Sequence, residues 1–161
     1  MFLQRTEIFS ELSPETMAEI SKEMSEQSYR EGETVYTPSD PAEHFYILVE
    51  GTVRLTIRRE GEIDYTVSRT GEVFGWAGMM ERPLYTAHSQ CMAPTRLILI
   101  QKKALNRIFE KDPRGGMIFF KKLAGAVFQR LLYSYENFVS KGSLMGITSP
   151  GVEEVEQANE E

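Results

Sequence analysis

Gly71-Glu72-Val73-Phe74-Gly75-Trp76-Ala77-Gly78-Met79-Met80-Glu81-Arg82-Pro83-Leu84-Tyr85-Thr86-Ala87 is the stretch on which the reading of this chain turns. Gly71, Gly75 and Gly78 let the backbone turn sharply and approach a neighbour with no Cβ in the way. Arg82 is the cation of the stretch, and as a loop residue it reads as solvent-facing. Trp76 admits two readings, an apolar mass filling core space or a stacking surface for a planar ligand. Tyr85 reads as a packed aromatic with its hydroxyl at the surface.

Upstream, Ser13-Pro14-Glu15 writes a helix start: a capping hydroxyl, proline in the first turn and an acid near the positive end of the dipole. Leu12 and Met17 are spaced as a hydrophobic staple, and Met17, Ile20 and Met24 carry the helix to about Ser25. The texture then changes to short runs of period two broken by Gly, Pro and Asp. Tyr29 to Tyr36 reads as strand, glycine turn and strand, and Asp40-Pro41-Ala42-Glu43 as a loop. His44 to Val49 and Thr52 to Ile57 are strands joined at Glu50-Gly51, with a hairpin tip at Gly61. Thr86 to Met92 and Thr95 to Ile100 are the last two strands, split by Ala93-Pro94.

This ordered series resembles the cyclic-nucleotide-binding domains of Crp/Fnr regulators, cyclic-nucleotide-dependent kinases and gated channels. The likeness rests on Tyr29-Arg30-Glu31-Gly32-Glu33, then Asp40, then Phe45 to Val53, then the Gly71–Ala87 stretch, and runs from about Phe9 to Tyr135. It implies an α+β fold: an antiparallel β-roll (a double-stranded β-helix, or jelly roll) with an N-terminal helix and two C-terminal helices. It also implies that Phe74, Gly75, Trp76, Ala77, Gly78, Met79, Tyr85, Thr86 and Ala87 form the phosphate-binding cassette of a cyclic-nucleotide-type pocket. Ala77 to Met80 would be its single helical turn, with the methionines turned into the barrel.

The resemblance also marks two departures. Trp76 stands where the family has a Glu for the ribose hydroxyl, and Tyr85 where it has an Arg for the phosphate. Hydrogen bonds to charged groups contribute about 1.5–3 kcal/mol each. Losing both costs roughly two to four decades of affinity, so cAMP or cGMP is expected to bind weakly. Arg82 is the candidate substitute for the phosphate clamp.

Lys102 to Asp112 reads as a short helix and Pro113 to Lys141 as a long one, with Gly142 at its end. Met117, Phe120, Ala124, Val127, Leu131 and Phe138 form one stripe, read as packing on the chain's own barrel. Phe119, Leu123, Phe128, Leu132 and Tyr135 form a second face. A helix apolar on two sides buries against something on both, so this helix is expected to make a homodimer. By the resemblance, Leu131 and Tyr135 would also cap the ligand's base.

A hydrophobic content of 41% and a charged content of 26% in 161 residues suit a globular domain with a sizeable core. The single cysteine excludes an internal disulfide framework and fits a reducing compartment. Met1 to Ser10 has no signal-peptide pattern and no run is long enough to span a bilayer, so the expected location is cytoplasmic. Of the net charge of −6, five units fall between Gly151 and Glu161, leaving −1 for the rest. Residues 1–141 are therefore read as the binding domain and 142–161 as an acidic, disordered tail. No basic patch or helix-turn-helix is legible after the long helix, so direct DNA binding is not expected, and a separate effector protein could read the module.

Enzyme readings find little support. His44 and His88 lie on different strands with no His-x-His pair, and no Gly-x-Ser-x-Gly elbow exists, so no catalytic residue and no metal site is assigned. His88 and Cys91, three apart on one strand, would face opposite sides of the sheet, which argues against shared haem ligation. Two functions remain. One is a regulatory small-molecule sensor whose ligand shifts the cassette and the long helix. The other is a ligand-free structural and dimerisation module that kept the fold.

Overall fold

The computed structural model describes residues 2–58 and 61–140. Among these, the order is α1 (Pro14–Glu23), β1 (Met24–Tyr29), β2 (Thr34–Tyr36), β3 (His44–Glu50), β4 (Val53–Arg58) and β5 (Glu62–Val67). β6 (Val73–Phe74), β7 (His88–Cys91), β8 (Thr95–Gln101), α2 (Lys102–Lys111) and α3 (Pro113–Ser140) complete it. Two compact units are distinguished, Met1–Phe120 and Lys121–Glu161, with the boundary inside α3. The expected tail, 142–161, lies outside the described residues.

The strands form two antiparallel four-stranded sheets, in the orders β1-β8-β3-β6 and β2-β7-β4-β5. This is the β-roll expected from the sequence. Period-two alternation sends Tyr46 and Leu48 of β3, Val53 and Leu55 of β4, and Leu97 and Leu99 of β8 into one shared interior. Fully burying such a side chain contributes about 1.5–3 kcal/mol. Cys91 belongs to the same interior and is wholly buried. The turns follow their glycines: Gly32, Gly51 and Gly71 all have positive φ. Gly51 is the most constrained, because a Cβ there would sit 2.6 Å from the Pro94 carbonyl oxygen.

β3 is buried on both faces. Its outward residue Phe45 joins Phe9, Phe109 and Phe119 in a second aromatic cluster, with Phe119 centroids 5.5, 5.7 and 4.9 Å from Phe9, Phe45 and Phe109. The segment before α1 thus belongs to the core, since Leu3, Ile8 and Phe9 are all buried.

Helix α1 starts as its sequence dictates, with Ser13 Oγ accepting from the Thr16 amide at 3.1 Å. It stops at Glu23 rather than near Ser25, because Met24 opens the β1–β8 ladder opposite Ile100. The first turns of α3 bury the other stripe from the one expected. Phe119 and Leu123 are buried, whereas Met117, Phe120 and Leu131, from the stripe expected to face the barrel, are exposed.

Candidate functional site

The stretch expected to form the cassette winds as one short turn. Gly75 takes the left-handed conformation (φ 71°), and Trp76–Met80 follow as a short 3-10 helix. Glu81, also left-handed at φ 58°, ends it, and the Arg82 amide closes back on the Ala77 carbonyl at 3.1 Å. Both glycines are needed for space. A Cβ on Gly75 would lie 2.6 Å from the Tyr46 ring, and one on Gly78 would overlap the Ala42 carbonyl. Met79 is buried, as expected, and Ala77 and Gly78 are buried with it. Met80 is not: it faces outward, exposed, because a 3-10 turn with three residues per turn cannot aim adjacent side chains the same way. The loop that follows is pinned to residues 40–42, through Ala42 N–H to Pro83 O at 2.9 Å and Tyr85 N–H to Asp40 O at 3.2 Å.

Tyr85 departs from its expected place, since its hydroxyl is not at the surface. The residue is 5% exposed and its ring lies stacked on Tyr36, with centroids 3.8 Å apart and planes 14° from parallel. Its hydroxyl donates to the His44 carbonyl at 3.0 Å and accepts from the His44 amide at 3.1 Å. Tyr46 stacks on Phe74 at 5.1 Å and hydrogen-bonds to Tyr85. Burial pushes the Tyr85 phenol up, opposed by its bonds to Tyr46 and to the His44 backbone. The Tyr46 phenol is pushed up further, first by burial and then by Tyr85. Both are therefore neutral at ordinary pH, and the position expected to hold the phosphate clamp carries rings and a hydroxyl.

The remaining expected residues are dispersed. Phe74 and Ala87 are buried beside Tyr85 in the interior, Trp76 is half-buried, and Thr86 is exposed. The Arg82 side chain is exposed. Leu131 and Tyr135 are exposed on α3. His88 lies opposite Thr56 and Cys91 opposite Val53, on the two faces of β7 as their spacing required. Among the described residues, no group of three or more His, Cys, Asp or Glu side chains could hold a metal ion.

One interior residue was not legible as a candidate. Ser89, wholly buried and registered between Tyr36 and Leu55, has an Oγ with no hydrogen-bond partner. A polar residue alternating with Ala87 and Cys91 in an inward-facing run is the signal that could have found it. Glu72 is the other: its carboxylate accepts from the Tyr65 hydroxyl at 2.6 Å and faces the Ser68 and Arg69 amides, which fastens the loop before the cassette.

With this geometry in view, the relatives can be placed. Residues 26–112 match the sequence profile of the cyclic nucleotide-binding domain, more than half of the chain. The chain belongs to the cyclic nucleotide-binding domain family, a family of regulatory domains. It is 25% identical over 107 residues to the global nitrogen regulator of Synechococcus elongatus, covering 64% of this chain and 48% of that protein. The sensor domain of the transcriptional regulator DNR from Pseudomonas aeruginosa superposes with a TM-score of 0.67 at 27% identity, covering 81% of this chain and 89% of that one. A cyclic nucleotide-binding domain from Methylobacillus flagellatus has the same fold, with a TM-score of 0.76 at 18% identity over 92% and 83% of the two chains. The chain spans about half or less of the length of the curated relatives it matches. No described helix is long and apolar enough to cross a membrane.

Proposed function

We propose that this chain is a non-enzymatic regulatory module of the cyclic-nucleotide-binding type in which nucleotide binding is weak or altered, and that it works as a homodimer paired through α3. One observation carries the reading: the Tyr85 hydroxyl, at the place of the phosphate clamp, is already closed on the His44 backbone. A cyclic phosphate arriving there would meet neutral phenols instead of a guanidinium. The short turn at the expected cassette and the orphaned Ser89 hydroxyl favour a small molecule other than a tightly held cyclic nucleotide. The filled interior of Tyr36, Tyr46, Phe74 and Tyr85 favours the second reading, a ligand-free dimerisation module.

Titration calorimetry with cAMP and cGMP tests the proposal, run on the wild type and on Trp76→Glu/Tyr85→Arg. Weak or absent heat from the wild type and measurable binding by the double variant are expected. Micromolar binding by the wild type would overturn the reading. A thermal-shift screen with cyclic dinucleotides and aromatic acids then separates sensor from structural module, because binding to the folded state alone raises its stability. As a proposal, the module acts without direct DNA contact or membrane insertion, in the cytoplasm, and passes its state to a separate effector.

A further inference from the structure

The clamp position and the start of α3 lie on opposite sides of β3, and β3 joins them. Tyr85 bonds both main-chain groups of His44, the first residue of the strand. The next residue, Phe45, points the other way, as successive strand residues must. Its ring meets Phe119, in the second turn of α3, edge-on at 5.7 Å. Phe45 and Phe119 are both wholly buried, so a shift of one is felt by the other. The strand start has a further tether, the Lys102 amide to the Glu43 carbonyl at 2.8 Å, which ties the same corner to the head of α2. Phe109 of α2 in turn lies 4.9 Å from Phe119.

We propose that Tyr85 is a positioning residue for α3, an internal substitute for a ligand that holds the helix start in one arrangement through His44, Phe45 and Phe119. The inference deepens the regulatory reading above and rests on it for the role of α3. It makes the held arrangement the resting condition of the chain with nothing bound.

The test is amide hydrogen exchange on the full chain, with Tyr85→Phe removing the hydroxyl and keeping the ring. Faster exchange is expected at His44, whose N–H loses its acceptor, and also roughly tenfold faster exchange at the amides around Phe119. The β4–β5 ladder should be unchanged. Acceleration confined to His44, or spread evenly over the molecule, would overturn the inference. Phe119→Leu supplies the reciprocal measurement, since it should speed exchange at His44, and it decides the matter if Tyr85→Phe does not fold. The two sites do not touch, so independent effects would multiply. A combined change in the unfolding constant that departs from the product of the single changes by more than about twofold supports coupling, and a simple product refutes it. None of these readouts involves nucleotide or dimer, so their failure is distinct from failure of the proposed function.

Discussion

Ser89 and Tyr85 show how single residues set the character of the roll interior. A buried hydroxyl without a partner costs about 1–3 kcal/mol in desolvation. Ser89→Ala is therefore expected to raise stability by about 1 kcal/mol, read as a higher urea midpoint with an unchanged slope. A loss of stability instead would mean that Ser89 is satisfied by an interior water that the alanine strands. Tyr85 could be read from the sequence as a departure from the family pattern, but not as a plug. Its partner is the backbone of His44, 41 positions earlier, and no local spacing encodes a bond to a distant main chain. Met80 was misplaced for a more local reason: adjacent residues of any helical turn diverge by roughly 100–120°, so a buried Met79 leaves Met80 facing outward.

Elements were legible where alternation and punctuation agree. The β4–β5 hairpin about Gly61 and the β7–β8 turn at Ala93-Pro94 fall where glycine and proline predict. The end of α1 was not, because Met24 continues the helical spacing while its backbone is claimed by β8. The junction of the helices hides a device that the sequence does not announce. Asp112 caps α3 through the Gly115 amide at 2.9 Å, and its other oxygen accepts from the Thr16 hydroxyl of α1. Those two bonds, Thr16 first, hold its carboxyl below the ordinary carboxylate range. A depressed folded value means that stability is present above the unfolded pKa of about 4 and drains away as pH falls through the folded one. Asp112→Ala should cost about 1 kcal/mol at neutral pH, as lost caps do. The gap to wild type in thermal midpoint should close as the pH approaches 2. A gap constant with pH would count against the ionic role.

At the scale of the whole molecule the proposal is an oligomer. Phe128, Leu131, Tyr135 and Phe138 follow a 3-4 repeat on α3 and are exposed at 56%, 44%, 41% and 39%. Together with Leu132 they offer on the order of 400 Å² of apolar surface per copy, roughly 800 Å² across a pair, which is the size of a weak, concentration-dependent contact. Leu131→Glu should convert a concentration-dependent dimer to monomer in sedimentation equilibrium, with its strand content intact. A wild type that is monomeric at all concentrations would remove the dimer from the proposal. The sequence revealed that α3 has two apolar faces, but of these only Phe119 and Leu123, at the start of the second, are buried, and from Phe128 onward the residues of both are exposed. Both stripes have helical spacing, and only the position of Phe119 among Phe9, Phe45 and Phe109 decides which side of the first turns of α3 is buried.

The chain's single thiol has a practical consequence. Cys91 is wholly enclosed, and burial lifts its pKa, so neither access nor the thiolate form favours reaction in the folded state. Labelling by a thiol reagent must wait for the roll to come apart. The reaction rate in the native protein is therefore a clock for spontaneous opening of the interior, with no probe to be introduced.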